Sequence, residues 1–193
     1  MPCGLFVALA LVAAPRFQTA PDEQIKLELR LFNGSEEVTA HSRVTVQRAG
    51  ERGEPLAQVQ SGASRVEVTV PAGFYDVQAI HERDGRVLHI KWAQRLVVMP
   101  YPDEAGRHLE VVNFQNGFGA IEIRGREKGP VDVSIYRTGD HVKEAALRVA
   151  GDDYVLFVLP AGEYDLQVMG SRGATWHTRI EVPLDRTRLW IVP

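Results

Sequence analysis

The sequence predicts an all-β protein built from two tandem antiparallel β-sandwich domains related by internal duplication. Three observations predict it. From residue 25 onward apolar and polar residues alternate with a period of two, in short β-branched runs cut by Gly, Pro and Asp. Those breaks fall at roughly ten-residue spacing, the pattern of a sandwich. The stretch Pro71-Ala72-Gly73-Phe74-Tyr75-Asp76-Val77-Gln78 returns 89 positions later as Pro160-Ala161-Gly162-Glu163-Tyr164-Asp165-Leu166-Gln167. Carried without gaps, the match of Arg43–Gln78 to Asp132–Gln167 is identical at 12 of 36 positions. Solenoid repeats run at roughly 20–50 residues, so a longer period means two domains. Helix has little support, the best candidate, Lys143-Glu144-Ala145-Ala146-Leu147, being too short to stand alone.

The chain divides by this reading into a leader over residues 1–20, a first sandwich over 21–115 and a second over 116–193. Gly4–Ala14 is apolar and uncharged, of signal-peptide length and too short to span a bilayer. It lacks the usual Lys or Arg ahead of it, and Pro follows both candidate cleavage points, Ala14 and Ala20. Export to the periplasm, cell surface or medium is the expectation, with no membrane span after leader removal. The single cysteine, Cys3, precedes the apolar run, so the processed chain has no thiol and no disulfide.

In the first unit the alternation predicts strands at Ile25–Phe32, Arg43–Arg48, Leu56–Val59, Arg65–Val70, Tyr75–His81, Val87–Gln94, Leu96–Met99 and Leu109–Val112. In the second it predicts Ala120–Arg124, Val131–Arg137, Ala146–Val149, Tyr154–Leu159, Tyr164–Met169, Ala174–Thr178, Arg179–Val182 and Arg188–Val192. Parity assigns Val66, Val68, Val70, Tyr75, Val77 and Ala79 to one core, and their counterparts Val155, Phe157, Leu159, Tyr164, Leu166 and Val168 to the other. Beyond the motif the offset falls to 84, so Trp92–Val98 matches Trp176–Val182 and the first unit has a longer hairpin before its Trp. Between the units, Asn113–Gly119 has no long Pro or Ser tract, so the domains are expected to abut. Phe114 and Phe118 belong either to that contact or to strand ends of their own domains.

The repeated motif reads as a corner. Pro71 and Pro160 end a strand ladder, Gly73 and Gly162 supply a turn conformation, and Tyr75 and Tyr164 bury their rings while the hydroxyls bond backbone. Asp76 and Asp165 point to the other face and tie down turn amides. A catalytic Tyr–Asp pair would need both side chains on one face.

The run of β-strand, Pro-Ala-Gly-x-Tyr-Asp-[Val/Leu], Trp and Ile/Leu-x-Val strand resembles the carboxypeptidase-regulatory-like, transthyretin-type (prealbumin-like) β-sandwich modules of exported bacterial proteins. The resemblance covers nearly all of Ile25 to Pro193. It implies seven- or eight-stranded immunoglobulin-like sandwiches serving as accessory, interaction or stabilising units, and brings no catalytic residue with it.

Other constellations point away from enzyme chemistry. None of the six histidines has the spacing of a metal motif. His81 and His89 flank an Asp84-Gly85 turn, and a two-residue turn would pair His81 with Leu88 and His89 with Ile80, on opposite faces. A joint metal site would need another register. Asp152-Asp153 and Asp103-Glu104 read as turn residues, not calcium ligands. There is no nucleophile elbow, phosphate-cradling loop or paired carboxylate geometry. The net charge of −3 is spread evenly, so nucleic acid is not an expected partner. Two aromatics in the second unit have no counterpart in the first: Tyr136 replaces Gln47 and Trp190 replaces Glu110, both at positions read as outward. The expectation is a non-catalytic exported accessory or protein-interaction module without cofactor or metal, whose partner is an envelope or extracellular protein. The alternative is a carbohydrate-binding protein using Tyr136 and Trp190 to stack on sugar rings. A hydrolase ranks third, since parity brings no polar groups together.

Overall fold

The computed structural model describes residues 24–51, 53–60, 62, 64–99, 107–127, 129–141, 145–170 and 173–192. The expected leader, Cys3, Asp103-Glu104 and the first half of Lys143–Leu147 lie outside the described residues. In the first half the strands are β1 Gln24–Asn33, β2 Glu36–Glu37, β3 Ser42–Arg48, β4 Ala57–Val59, β5 Val66–Pro71, β6 Gly73–Arg83, β7 Arg86–Val98 and β8 Arg107–Asn113. In the second they are β9 Phe118–Arg124, β10 Val131–Arg137, β11 Leu147–Gly151, β12 Tyr154–Pro160, β13 Gly162–Gly170, β14 Gly173–Val182 and β15 Thr187–Ile191. A short 3-10 turn, Thr39–His41, precedes β3. Val87–Gln94 and Leu96–Met99 fuse into β7, and Ala174–Thr178 and Arg179–Val182 into β14, because each pair is joined through a β-bulge and not a turn.

Each half folds as two stacked sheets in the same strand order, except that in the first half the two-residue β2 also pairs with the end of β1, giving that sheet a fourth strand. The first sandwich pairs β5-β1-β8 with β4-β3-β6-β7, and the second pairs β12-β9-β15 with β11-β10-β13-β14. The β4-β3-β6-β7 and β11-β10-β13-β14 sheets are antiparallel. In each of the other two sheets the last strand of the unit lies parallel to its first: β1 against β8, and β9 against β15. The fold is thus duplicated in topology as well as in sequence. One register differs from the ungapped comparison: Val44 faces Val59, whereas Val133 faces Val149, so β11 is offset by 90 positions from β4.

The inward residues are those that parity assigns. Ile25, Leu27, Leu29 and Leu31 of β1 meet Val66, Val68, Val70, Tyr75, Val77 and Ala79 in the first core. Ile121, Ile123, Val133, Ile135, Val155, Phe157, Leu166 and Val168 form the second. Each fully buried aliphatic or aromatic side chain contributes about 1.5–3 kcal/mol relative to exposure, and with no disulfide among the described residues these layers hold the sheets together.

The two units abut through the outer faces of the sheets that hold β1 and β9. Phe32, Leu109, Val111, Ala120 and Val158 form a third apolar cluster, flanked by Phe118, Tyr154 and Leu156. Beside it lie two buried carboxylates, Glu28 of the first unit and Glu122 of the second. Arg107 joins them, its Nη2 2.8 Å from Glu28 and its Nη1 2.9 Å from Glu122, over the face of Tyr154. Arg124 also donates to Glu122, at 2.7 Å through Nε. Of the two linker aromatics, Phe118 enters this contact and Phe114 packs on the first core. The chain after β14 passes so close to β9 that a Cβ on Gly119 would meet the Pro183 carbonyl oxygen at 1.7 Å.

Candidate interaction surface

The duplicated motif carries the chain from one sheet to the other. Pro71 ends β5 in the sheet of β1, Ala72 turns the corner, and Gly73 opens β6 in the sheet of β3. Tyr75 is fully buried and its hydroxyl donates to the Pro71 carbonyl at 2.6 Å. Half-buried Tyr164 repeats the bond to the Pro160 carbonyl at 2.8 Å. The expected glycine-specific turn is absent at Gly73, which has no positive φ, while Gly162 has φ +158°. A corner between sheets, unlike a hairpin, needs no left-handed residue at Gly73.

Asp76 and Asp165 do tie down backbone amides. Asp76 accepts the N–H of Arg95 at 2.8 Å and of Gly50 at 3.2 Å. Asp165 accepts the N–H of Arg179 at 2.8 Å and of Gly139 at 2.9 Å. Arg95 and Arg179 sit in left-handed conformation, φ 54° and 56°, each at the bulge of an edge strand. Burial opposes the charge of Asp165, yet the Gly139 and Arg179 amides and the His141 ring hold its carboxyl below the usual carboxylate range. The motif residues are therefore spent on architecture.

The outer faces of the β6–β7 and β13–β14 sheets are not spent. Trp92 lies opposite Gln78, and Trp176 occupies the same place opposite Gln167. In the first sandwich Trp92 belongs to an apolar strip on β6 and the edge strand β7: Val87, Ile90, Trp92, Val97 and Phe74 are 52, 58, 46, 44 and 54 % exposed. Cross-strand pairing puts Val97 opposite Phe74 and Ile90 opposite Ile80, so the strip shares one face. In the second sandwich Trp176 packs 4.9 Å from Tyr136 and 4.1 Å from the stacked ring of His141. His141 Nε2 lies 2.5 Å from Asp165, and the Tyr136 hydroxyl is 3.3 Å from Gln167 Oε1.

Trp190 does not join Tyr136. Its strand runs parallel to β9 with Trp190 opposite the core residue Ile123, and its ring packs on the second core, edge-on to His177 at 4.8 Å. The outward position expected for Trp190 is corrected on this ground: the inward row of β15 follows from parallel pairing, which alternation alone does not reveal. The partner of Tyr136 is Trp176, whose outward face follows from its place opposite Gln167, one residue out of phase with inward Leu166.

The register of the long hairpin is also corrected. The turn at Asp84-Gly85 has two residues, with Arg83 opposite Arg86 and Glu82 opposite Val87. A bulge at Leu88 then brings His81 opposite His89, on the same face. Their rings stack at 5.7 Å, and Phe114 covers them at 5.7 and 5.9 Å. Among the described residues no three His, Cys, Asp or Glu side chains are placed to hold a metal ion together.

No family model matches the chain, and no curated protein matches it as a relative. Solved structures overlap it loosely. The Bacillus anthracis TIE protein is 13 % identical with a TM-score of 0.33, over 88 % of this chain and 33 % of its own, so the chain spans a third of that protein. A DUF3823 family protein from Parabacteroides merdae is 13 % identical with a TM-score of 0.29, over 86 % of this chain and 100 % of its own. The Streptococcal ancillary pilin is 14 % identical with a TM-score of 0.29, over 88 % of this chain and 62 % of its own. Overlaps and identities this low assign no role, and the chain is placed by its own topology and surface.

Proposed function

We propose that the chain is an exported, non-catalytic interaction module of two transthyretin-type sandwiches, which docks a protein of the envelope or cell exterior on the outer face of β6 and β7. The observation that carries this reading is the strip Val87–Ile90–Trp92–Val97–Phe74. Single exposed apolar residues are ordinary, whereas Val87, Ile90 and Trp92 in one row along an edge strand, with Val97 and Phe74 beyond the Arg95 bulge, make a contact surface or an aggregation hazard. Trp within such a row is the residue type that dominates binding energy at protein interfaces. The test is a pull-down from envelope extract with the chain lacking residues 1–20, beside the double variant Ile90→Lys/Trp92→Ala. A defined protein retained by the parent chain and lost by the variant, at unchanged melting temperature, supports the proposal. Equal retention by both rejects it.

A second reading rests on Tyr136 and Trp176, whose adjacent rings with Gln167 beside them offer the apolar platform and polar rim that a sugar ring uses. Glycan-array binding that disappears in Trp176→Ala would favour it over the first.

A further inference from the structure

The sheet that carries the apolar strip has diverged in charge from its copy. Its strands hold Arg43, Arg48, Arg83, Arg86, Lys91 and Arg95 against Asp76 and Glu82. The matching sheet of the second sandwich holds Arg137, Arg148 and Arg179 against Asp132, Glu163, Asp165 and Glu181. One sheet is therefore basic in a chain whose net charge is −3. Its own carboxylates are engaged: Glu82 pairs with Arg43, and Asp76 accepts the Gly50 and Arg95 amides. Arg83, Arg86 and Arg95 have no carboxylate partner among the described residues. Arg83 lies directly opposite Arg86, and like charges so placed destabilise a ribbon unless an anion offsets them.

β7 is also the last strand of its sheet, so one side of its backbone has no ladder partner. Between its two bulges, His89 to Ala93 pair with His81 to Val77 without a register shift. A lysine on an edge strand normally guards it, but the Lys91 ammonium is turned to Asn116 and Asp185, at 3.2 and 3.3 Å. We propose, building on the docking role given above to β6 and β7, that the partner presents an extended acidic segment that adds as a fifth strand to the edge of β7. Its main chain takes the free N–H and C=O groups of His89–Ala93, and its apolar side chains extend the Ile90–Trp92 row. Its carboxylates meet Arg86 at one end and Arg95 at the other. A second copy of the chain suits this edge poorly, because antiparallel pairing of β7 with itself sets the basic ends of the two strands, at Arg86 and Arg95, against each other.

The test is calorimetric titration of the chain with a capped synthetic peptide of about ten residues, alternating Val and Thr at its centre with two Glu at each end, a length that covers the edge between the two arginines. Two controls accompany it: the same peptide with Lys for Glu, and the Glu peptide N-methylated at its central amides. Saturable binding of the Glu peptide is expected, with slowed amide hydrogen exchange in β7 between His89 and Ala93. The Lys peptide should bind at least about tenfold more weakly. N-methylation should abolish binding, since it removes main-chain donors and leaves the side chains in place. Arg86→Glu should weaken the Glu peptide about two- to fivefold at undiminished melting temperature, because the new carboxylate faces Arg83. No uptake of the Glu peptide, equal binding of the Glu and Lys peptides, or full binding after N-methylation overturns the proposal. A dimer in sedimentation that the Glu peptide cannot disperse also overturns it, giving the edge to a second copy. The docking role is decided separately: a protein lost from Ile90→Lys/Trp92→Ala in the pull-down, yet not displaced by the Glu peptide, keeps the face and rejects the added strand.

Discussion

Arg179 donates its backbone N–H to Asp165 Oδ1 at 2.8 Å, and this one bond joins the corner motif of β13 to the bulge of the edge strand β14. Asp76 and Arg95 repeat it at the same distance in the first sandwich. The left-handed backbone of each arginine is held by a carboxylate that also closes the β-turn after β3 or β10.

Replacement of Asp165 by Ala should therefore cost about 3 kcal/mol, the order of magnitude for losing hydrogen bonds to a charged, buried acceptor. Asp76→Ala should cost less, about 1 kcal/mol, because its bonds lie at an exposed position. Urea denaturation of the two variants beside the parent chain measures both.

The same carboxylate predicts a pH dependence. Asp165 has its folded pKa below the unfolded value, so its stabilisation is complete above the unfolded value of about 3.9 and is lost as pH falls through the folded value. Melting curves from pH 6 to pH 2.5 should show a smaller acid-induced drop for Asp165→Asn than for the parent chain.

Arg107→Met should loosen the junction between the units. It leaves Glu28 and Glu122 buried with one fewer cation, and removing one partner of a buried pair costs about 3–5 kcal/mol. The expected sign in scanning calorimetry is a lower melting temperature, with the single transition of the parent splitting in two. A transition as sharp and as high as the parent's would show that the apolar cluster suffices.

Gly119→Ala should be among the most damaging single-methyl changes. The added Cβ would overlap the Pro183 carbonyl, a backbone atom with no rotamer to escape by. A loss of at least about 2–3 kcal/mol is expected, read from urea midpoints, and it should be larger than that of Gly50→Ala only in its steric part, since Gly50 is open on all sides but has φ +79°.

Much of this fold was legible because each inward row announces itself by parity. Val66, Val68, Val70, Tyr75 and Val77 alternate, and all are buried. Parity fails where its premise fails. Glu28 and Glu122 occupy positions that an isolated sandwich would show to water, yet the neighbouring unit covers them. At Leu88 a bulge reverses the phase for one residue, which brought His81 and His89 together against expectation. Trp190 was misread because alternation gives two rows without saying which faces in; its partner Ile123 decides that. The Trp176 platform carried a sequence signal, since the repeat aligns Trp176 with Trp92 and each stands opposite a Gln of the motif strand.

The parallel pairing of β1 with β8 has a mechanical meaning. Seven residue pairs, Lys26–Arg107 to Phe32–Asn113, run in the same direction. Tension applied at Gln24 and at Asn113 pulls the two strands along their length in opposite senses, so the ladder is loaded in shear across all its rungs at once. A hairpin such as β6–β7, pulled at its open end, is loaded one rung at a time. The second sandwich repeats the geometry through β9 and β15, so a chain tethered by its ends meets force with two shear clasps in series.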